Sequence, residues 1–245
     1  MSDKVIVTGA AGFIGSHVCE SLLERGFRVV GVDSLNSNYD VRIKRDNLRA
    51  ARSNENFVLI ERSLNEIDLE GVLSDATVVF HLAAQPGVRD SWSRRFEDYI
   101  DSNIRATQRL CEACRGKSLR RFVYASSSSV YGETTQLPMN ESHPTRPYSP
   151  YGVTKLSGEA LCLLYKKNYG LPVVSLRFFT VYGPRQRPDM AFHRFIANAL
   201  DGKPIDVYGN GSQTRDFTFI SDIVDANLRA MDYDGDVSVF NVCGG

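Results

Sequence analysis

Thr8-Gly-Ala-Ala-Gly-Phe-Ile-Gly15 stands between the apolar run Lys4–Val7 and a stretch in which Ile14, Val18 and Leu22 recur every four residues. The first run reads as a buried strand, and the second as one face of a helix with Gly26 suited to its end. Gly9 permits a tight turn, and Gly12 lets backbone approach a pyrophosphate. Gly15 lets the helix pack close to the strand, its positive N-terminus aimed at phosphates. Phe13 and Ile14 belong to the same turn. Asp33 then ends the second apolar run, FRVVGVD. A carboxylate there accepts hydrogen bonds from both ribose hydroxyls of an adenosine and repels a 2′-phosphate, which favours NAD over NADP. A glycine turn alone is weak; strand, helix and acid around it make it specific. The spacing G-x-x-G-x-x-G narrows the class further.

Outward from this turn, KVIVTG, FRVVGVD, FVLIE, TVVFHLA, RFVYAS and PVVSLRF recur as short apolar runs between mostly helical patterns. Continuous apolar strands alternating with helices imply a parallel sheet covered on both faces. The right-handed crossover rule limits the topology to α/β, a doubly wound parallel sheet of the Rossmann type. After Thr180 the texture changes: VYGPRQRPDM, a helix over AFHRFIANAL, then IDVYGNGSQTRDFTFI as a short strand, a glycine turn and another extended run. A helix over SDIVDANLRAM and a strand, VSVFNV, close the chain. The expected division is a dinucleotide-binding domain over residues 1–180 plus about 216–245, with 181–215 beginning a smaller, incomplete substrate-binding region.

The 245 residues carry 29 basic and 29 acidic side chains, so no global field favours nucleic acid or an anionic membrane. MSDKVIVTGAAG lacks the basic and apolar segments of a signal peptide, and no run approaches the roughly 20 apolar residues of a membrane span. With five cysteines, an odd number, this points to the cytoplasm. Cys111 and Cys114 form C-x-x-C, but no second pair or histidine set completes a metal site, so they read as buried helix cysteines. The four histidines likewise show no metal spacing.

Tyr151-Gly-Val-Thr-Lys155 opens a helical pattern running to about Tyr169. Spacing of i and i+4 puts phenol and ammonium on one helix face. A free phenol titrates near 10, and a fixed cation beside it, with a positive nicotinamide ring, favours the phenolate. Such a base takes a hydroxyl proton while hydride leaves the same carbon. Alone, the pair reads more plainly as a surface tyrosine and a solvated lysine; beside the glycine loop and Asp33 it reads as chemistry.

TGAAGFIG, the Tyr-x-x-x-Lys pair and ASSSSVYG resemble the extended short-chain dehydrogenase/reductases, specifically the nucleotide-sugar epimerases. FHLAAQPGVRDSW, SPYGVTKLSGE, LRFFTVYGPRQRPDMAFHRF and TRDFTFISDI narrow the resemblance to UDP-glucuronate 4-epimerases. It implies that Ser127 hydrogen-bonds the sugar's 4-hydroxyl with the catalytic Tyr151, while Lys155 completes the catalytic trio as the cation beside the phenol. Sugar dehydratases and uronate decarboxylases carry a carboxylic acid directly before the VYG valine; this chain has Ser129 there and Ser128 before it. Hydroxyls of Ser127, Ser128, Ser129 and Thr180 would instead donate to a sugar carboxylate. The implied reaction oxidises carbon 4 transiently, rotates the 4-keto sugar and returns the hydride to the other face, NAD being regenerated. The 4-keto form of a hexuronate is a β-keto acid, so the carboxylate must be held against loss of carbon dioxide.

The resemblance also places Lys44, Leu64, Leu82, Ala83, Ala84, Gln85 and Asn103 around the cofactor, with Ser63 where relatives often carry Asp. Arg185, Arg187 and Arg215 are directed toward the nucleotide sugar, Arg215 most firmly, and Tyr208 against the uracil. It implies a homodimer through helices at roughly 92–116 and 151–169. Relatives run well beyond this chain's end, so it is expected to be either a portion of a longer protein or a shortened member. The alternatives left open are a neutral UDP-sugar 4-epimerase (UDP-glucose or UDP-N-acetylglucosamine), a uronate decarboxylase and a non-catalytic NAD-binding protein.

Overall fold

The computed structural model describes residues 3–244 apart from Arg94, Thr135 and Tyr208. Strand β1 (Lys4–Thr8) leads through α1 (Phe13–Glu24) to β2 (Arg28–Val32). Short helices α2 (Val41–Asn47) and α3 (Arg49–Arg52) precede β3 (Phe57–Ile60), and α4 (Leu69–Val72) precedes β4 (Ala76–His81). The next crossover is one continuous helical run, α5 (Phe96–Tyr99), a π-helical segment (Ile100–Arg105) and α6 (Ala106–Cys114), ending in β5 (Arg121–Ser127). A 3₁₀ turn (Ser128–Val130) and α7 (Pro150–Tyr169) follow, then β6 (Val173–Phe178) and β7 (Thr180–Tyr182). Helix α8 (Ala191–Leu200), β8 (Phe217–Phe219), α9 (Ile220–Asp232) and β9 (Val239–Val242) complete the described chain.

Seven strands form one wholly parallel sheet in the order β3-β2-β1-β4-β5-β6-β9. The chain winds outward from β1 to β3, then jumps back beside β1 with β4 and winds the other way. The carboxyl ends of β1 and β4 therefore flank the switch point, where loops diverge and leave a crevice. Alternation along each strand divides the core. Val5 and Val7 of β1 join Val18 and Leu22 of α1 and Ile223 and Leu228 of α9 on one face. Ile6 joins Leu110 and Cys111 of α6 and Cys162 of α7 on the other. The C-x-x-C cysteines are free and buried in this second layer, with Cys111 Sγ 3.8 Å from Cys162 Sγ.

Helix α7 is locally encoded at both ends. Ser149 caps its start by accepting the Gly152 N–H at 3.1 Å, Pro150 fills the first turn, and Gly170 ends it at φ 70°. A side chain at Gly158 would meet the Tyr124 hydroxyl at 2.1 Å, so α7 lies closer to β5 than any other residue allows. Beyond Thr180, β7 pairs only with β8 in a separate parallel ladder. Of the strand expected at IDVY, the described part, Ile205–Val207, is irregular and exposed. None of α8's residues is buried; Phe192, Ile196 and Leu200 lie exposed. No helix among the described residues is long and apolar enough to cross a membrane.

Candidate active site

A cavity of about 410 Å³ opens at the switch point. Its floor is the glycine turn. Gly9 adopts φ +71°, and a Cβ there would lie 2.8 Å from the Ala83 nitrogen. A Cβ on Gly15 would lie 2.1 Å from the Gly9 carbonyl oxygen, and one on Gly12 3.1 Å from it. Gly9, Gly12, Phe13, Ile14 and Gly15 all line the cavity. No side chain caps the N-terminus of α1, so its first-turn N–H groups are left for an anion in the cavity. This cradle, closed to any Cβ, fits a pyrophosphate.

Asp33 follows β2 and lines the cavity beyond the glycines. It accepts the Ala11 and Leu35 N–H groups at 2.9 Å each. Burial pushes its carboxyl pKa up, while these two hydrogen bonds and the charge of Lys44 pull against it. Lys44 is held in place by Asn36, donating to its carbonyl at 2.7 Å and to Oδ1 at 2.5 Å, and it stands 4.6 Å from the centroid of the Tyr39 ring. Asn36, Asn38 and Tyr39 all line the cavity, and the buried Asn38 Oδ1 has no partner. With Arg62, Ser63 and Leu64 they form the adenosine end. A ribose at Asp33 and a base amine at Asn38 would satisfy these acceptors, so the residues present fit NAD.

Leu82, Ala83 and Ala84 form the opposite wall. Gln85 and Asn103 stand one layer behind it rather than on it. Asn103 Oδ1 accepts the Gln85 N–H at 2.7 Å, and its Nδ2 donates to the Gln85 carbonyl at 3.1 Å and to Thr154 Oγ1 at 2.9 Å. The π-helical segment carries Asn103 into this position. Behind the wall lies a buried histidine that spacing rules passed over. Ala83 N–H donates to Thr8 Oγ1, Thr8 to His81 Nδ1 at 2.8 Å, His81 Nε2 to Thr107 Oγ1 at 2.9 Å, and Thr107 to the Asn103 carbonyl at 2.7 Å. Since Thr107 spends its hydrogen on Asn103, the His81 proton belongs on Nε2. Burial and the charge of Lys155 push the His81 pKa down to about 3, so it stays neutral.

The far end of the cavity gathers Ser127, Ser128, Ser129, Tyr151, Lys155, Thr180 and Arg187. Ser127 Oγ accepts the Ser129 N–H at 3.1 Å and shares the cavity wall with Tyr151. Loss of solvation pushes the Tyr151 pKa up; the charge of Arg187 and the Ser127 hydroxyl oppose it. Lys155, the cation to which the sequence pointed, lines the same cavity. Lys155 Nζ lies 4.7 Å from the centroid of the Tyr124 ring, on the β5 side of the helix. Burial lowers its pKa to about 8 against the charges of Cys162 and Glu159. Tyr151 also sits in the first turn of α7, where the helix dipole favours a phenolate.

Two arginines do not reach the cavity. Arg185 donates to both oxygens of Glu20, at 2.9 and 3.0 Å, and to Ser16 Oγ at 3.2 Å, because its φ of +68° turns the side chain onto α1. Arg215 is exposed, its guanidinium donating to the Thr214 carbonyl at 2.6 Å, in an irregular stretch away from the lining. Arg187 alone of the three faces in, gripped in two places by Asp189 at 2.9 Å each. Tyr208 lies outside the described residues. Sequence reasoning missed Asn36, Asn38 and Tyr39, Pro86–Val88, Phe178, Phe179 and Met190, which line the cavity. The available signal was positional: loops leaving the carboxyl ends of parallel strands surround the switch point.

Fold and site define a dinucleotide-binding protein with a tyrosine–lysine helix beside the nicotinamide end. The NAD dependent epimerase/dehydratase family matches residues 5–243, and the chain belongs to it. A Bacillus subtilis protein described as an uncharacterized UDP-glucose epimerase is 53% identical over 90% of this chain and 70% of its own length. Arabidopsis thaliana UDP-glucuronate 4-epimerase 1 is 44% identical over 95% of this chain and 56% of its own. The crystal structure of Bacillus cereus UDP-glucuronic acid 4-epimerase with UDP-glucuronic acid and NAD superposes with a TM-score of 0.96 at 47% identity, covering 99% of this chain and 78% of that one.

Proposed function

We propose that the protein is an NAD-dependent 4-epimerase that interconverts UDP-glucuronate and UDP-galacturonate. One observation carries the choice of sugar: at the far end of the cavity four consecutive serines, Ser126–Ser129, converge with Thr180 and Arg187 and no carboxylate among them. Asp33, at the adenosine end, is the single acid among the described lining residues. A site built of donors and one guanidinium suits an anionic hexuronate and would leave a decarboxylase or dehydratase without its extra acid. The similarity to the plant and Bacillus cereus enzymes supports the same reading.

In this reading the glycine turn and Asp33 hold NAD, which supplies the hydride acceptor and donor for carbon 4. Ser127 and Tyr151 share the 4-hydroxyl; Tyr151 takes its proton during oxidation and returns one during reduction. Arg187 and the Ser127 hydroxyl favour the phenolate that this requires. Ser128, Ser129 and Thr180 hold the sugar carboxylate near the plane of the new carbonyl, where the C5–C6 bond is poorly aligned to break. Gln85 and Asn103 position the wall and Lys44 the adenosine loop. Residues 1–180 with about 216–245 form the dinucleotide-binding domain, and 181–215 begins the substrate-binding region, a reading supported by the separate ladder of β7 and β8. The chain works in the cytoplasm as a homodimer; Val153 and Leu164, exposed on one face of α7, support that face as the contact.

Incubation with NAD and UDP-glucuronate tests the reading: UDP-galacturonate without carbon dioxide or a UDP-pentose is expected. A neutral UDP-hexose is the second reading, favoured by the similarity to the Bacillus subtilis protein described as a UDP-glucose epimerase; turnover of UDP-glucose but not of UDP-glucuronate would establish it.

A further inference from the structure

Directly behind the serine turn, outside the cavity, lies a buried ion pair. Glu159 follows Lys155 by one turn of α7 and Tyr151 by two. Its carboxylate receives Arg177 Nη2 at 2.6 Å and Nε at 3.1 Å, with the two side chains only 6% and 3% exposed for Arg177 and Glu159. Burying such a pair gains little stability over packed apolar side chains, so its geometry calls for another reason. Glu159 Oε2 also accepts the Ser126 hydroxyl at 2.5 Å. On its other side Arg177 Nη1 donates to Tyr131 Oη at 2.7 Å, and Tyr131 donates to Asn241 Oδ1 at 2.7 Å. Ser126, Arg177 and Asn241 stand side by side in register on β5, β6 and β9. A carboxylate on the Tyr151 helix therefore grips the turn at both ends: at Ser126 directly, and at Tyr131 through Arg177.

We propose that Glu159 is a positioning residue for the reaction: through Ser126 and Arg177 it sets the turn bearing Ser127, Ser128 and Ser129 against Tyr151 on its own helix. The sugar contacts of that turn rest on the substrate reading above; the placement of Ser127 and Tyr151 on one cavity wall does not. A displacement of ~1 Å at a reacting group costs on the order of 100-fold in rate. Around the phenol stand Arg187 beyond β7, Ser127 on β5 and Tyr99 on α5, whose ring centroid is 6.4 Å away. A shift of the turn carries the Ser127 hydroxyl away from the phenol whose pKa it lowers, and so the phenol should titrate higher.

The test uses Ser126→Ala, Glu159→Gln and Glu159→Asp in NAD-loaded protein, with UDP-glucuronate as substrate. Ser126→Ala and Glu159→Gln should lower kcat by about 10- to 100-fold with KM changed by less than about 3-fold, and Glu159→Asp should recover part of the loss. Both should also leak product: the C5–C6 bond of the 4-keto sugar breaks, carbon dioxide leaves, and the electron pair passes to O4 as an enolate. Protonation at carbon 5 and hydride return at carbon 4 then give a UDP-pentose. The ultraviolet phenolate titration, taken as the difference between each variant and its Tyr151→Phe counterpart, should move to higher pH. If Glu159→Gln does not fold, Glu159→Gln/Arg177→Met removes both charges together and carries the same expectation. Folded Ser126→Ala and Glu159→Gln, or that neutral pair, with wild-type kcat, product ratio and titration overturn the proposal. A wild-type protein inert toward UDP-glucuronate overturns the substrate reading alone, and the titration still decides this one.

Discussion

Ser127, the last residue of β5, and Tyr151, in the first turn of α7, line the same cavity. Two separate elements thus carry the two hydroxyls that would meet the sugar's 4-hydroxyl. The Ser127 hydroxyl also lowers the pKa of a phenol that lost solvation raises.

Tyr151→Phe removes the proton acceptor and leaves the ring in place. Epimerisation should fall by about 10²- to 10⁴-fold, while NAD still binds, as followed by product chromatography and by quenching of protein fluorescence.

Ser129→Glu places a carboxylate directly before the VYG valine. Like charge against the sugar carboxylate should lower kcat/KM for UDP-glucuronate by at least about 100-fold and spare a neutral UDP-hexose, in competition assays with both sugars.

Arg185 and Arg187 are separated by one residue and should behave differently. Arg185→Met breaks a partly exposed pair with Glu20, worth less than about 1 kcal/mol, and should leave kcat/KM within about 3-fold. Arg187→Met removes the positive charge facing Tyr151 and should depress kcat by at least about 10-fold, with the pH profile displaced to higher pH.

His81 carries a pH signature. Its folded pKa, about 3, lies below the unfolded 6.5, so below pH 6.5 the unfolded chain takes up a proton that the folded one refuses. Stability is therefore lost as pH falls from about 6.5 toward 3, at ~1.4 kcal/mol per pH unit from this residue alone. Denaturant titrations at pH 7 and pH 5 should differ by about 2 kcal/mol, and His81→Gln should shrink that difference.

Gly15→Ala would push a methyl group to 2.1 Å from the Gly9 carbonyl oxygen. The turn must open, at a cost of about 1–3 kcal/mol, and NAD affinity should fall sharply by equilibrium dialysis.

The glycine turn, Asp33, the Tyr151–Lys155 spacing and the alternation of strands with helices were legible because each is local. A turn, a helical period or a strand end is written in neighbouring residues. Ile205–Val207 of the IDVY run is not a strand, and an extended run becomes one only where another edge meets it. Cys111 and Cys114 needed no partner residues for their bland reading, since a helical period already put them on the buried face.

Composition and spacing alone determined a doubly wound, NAD-type sheet and the helix face that bears the phenol, since both follow from backbone geometry repeated over a few residues. Only the tertiary structure decided which arginine meets Tyr151, that Lys155 turns to the Tyr124 ring, and that Glu159 stands behind the serines. Those outcomes depend on side chains far apart in the chain competing for the same partners. Glu20 takes Arg185, while Arg187 is left facing the cavity; burial then sets the charge each group can carry.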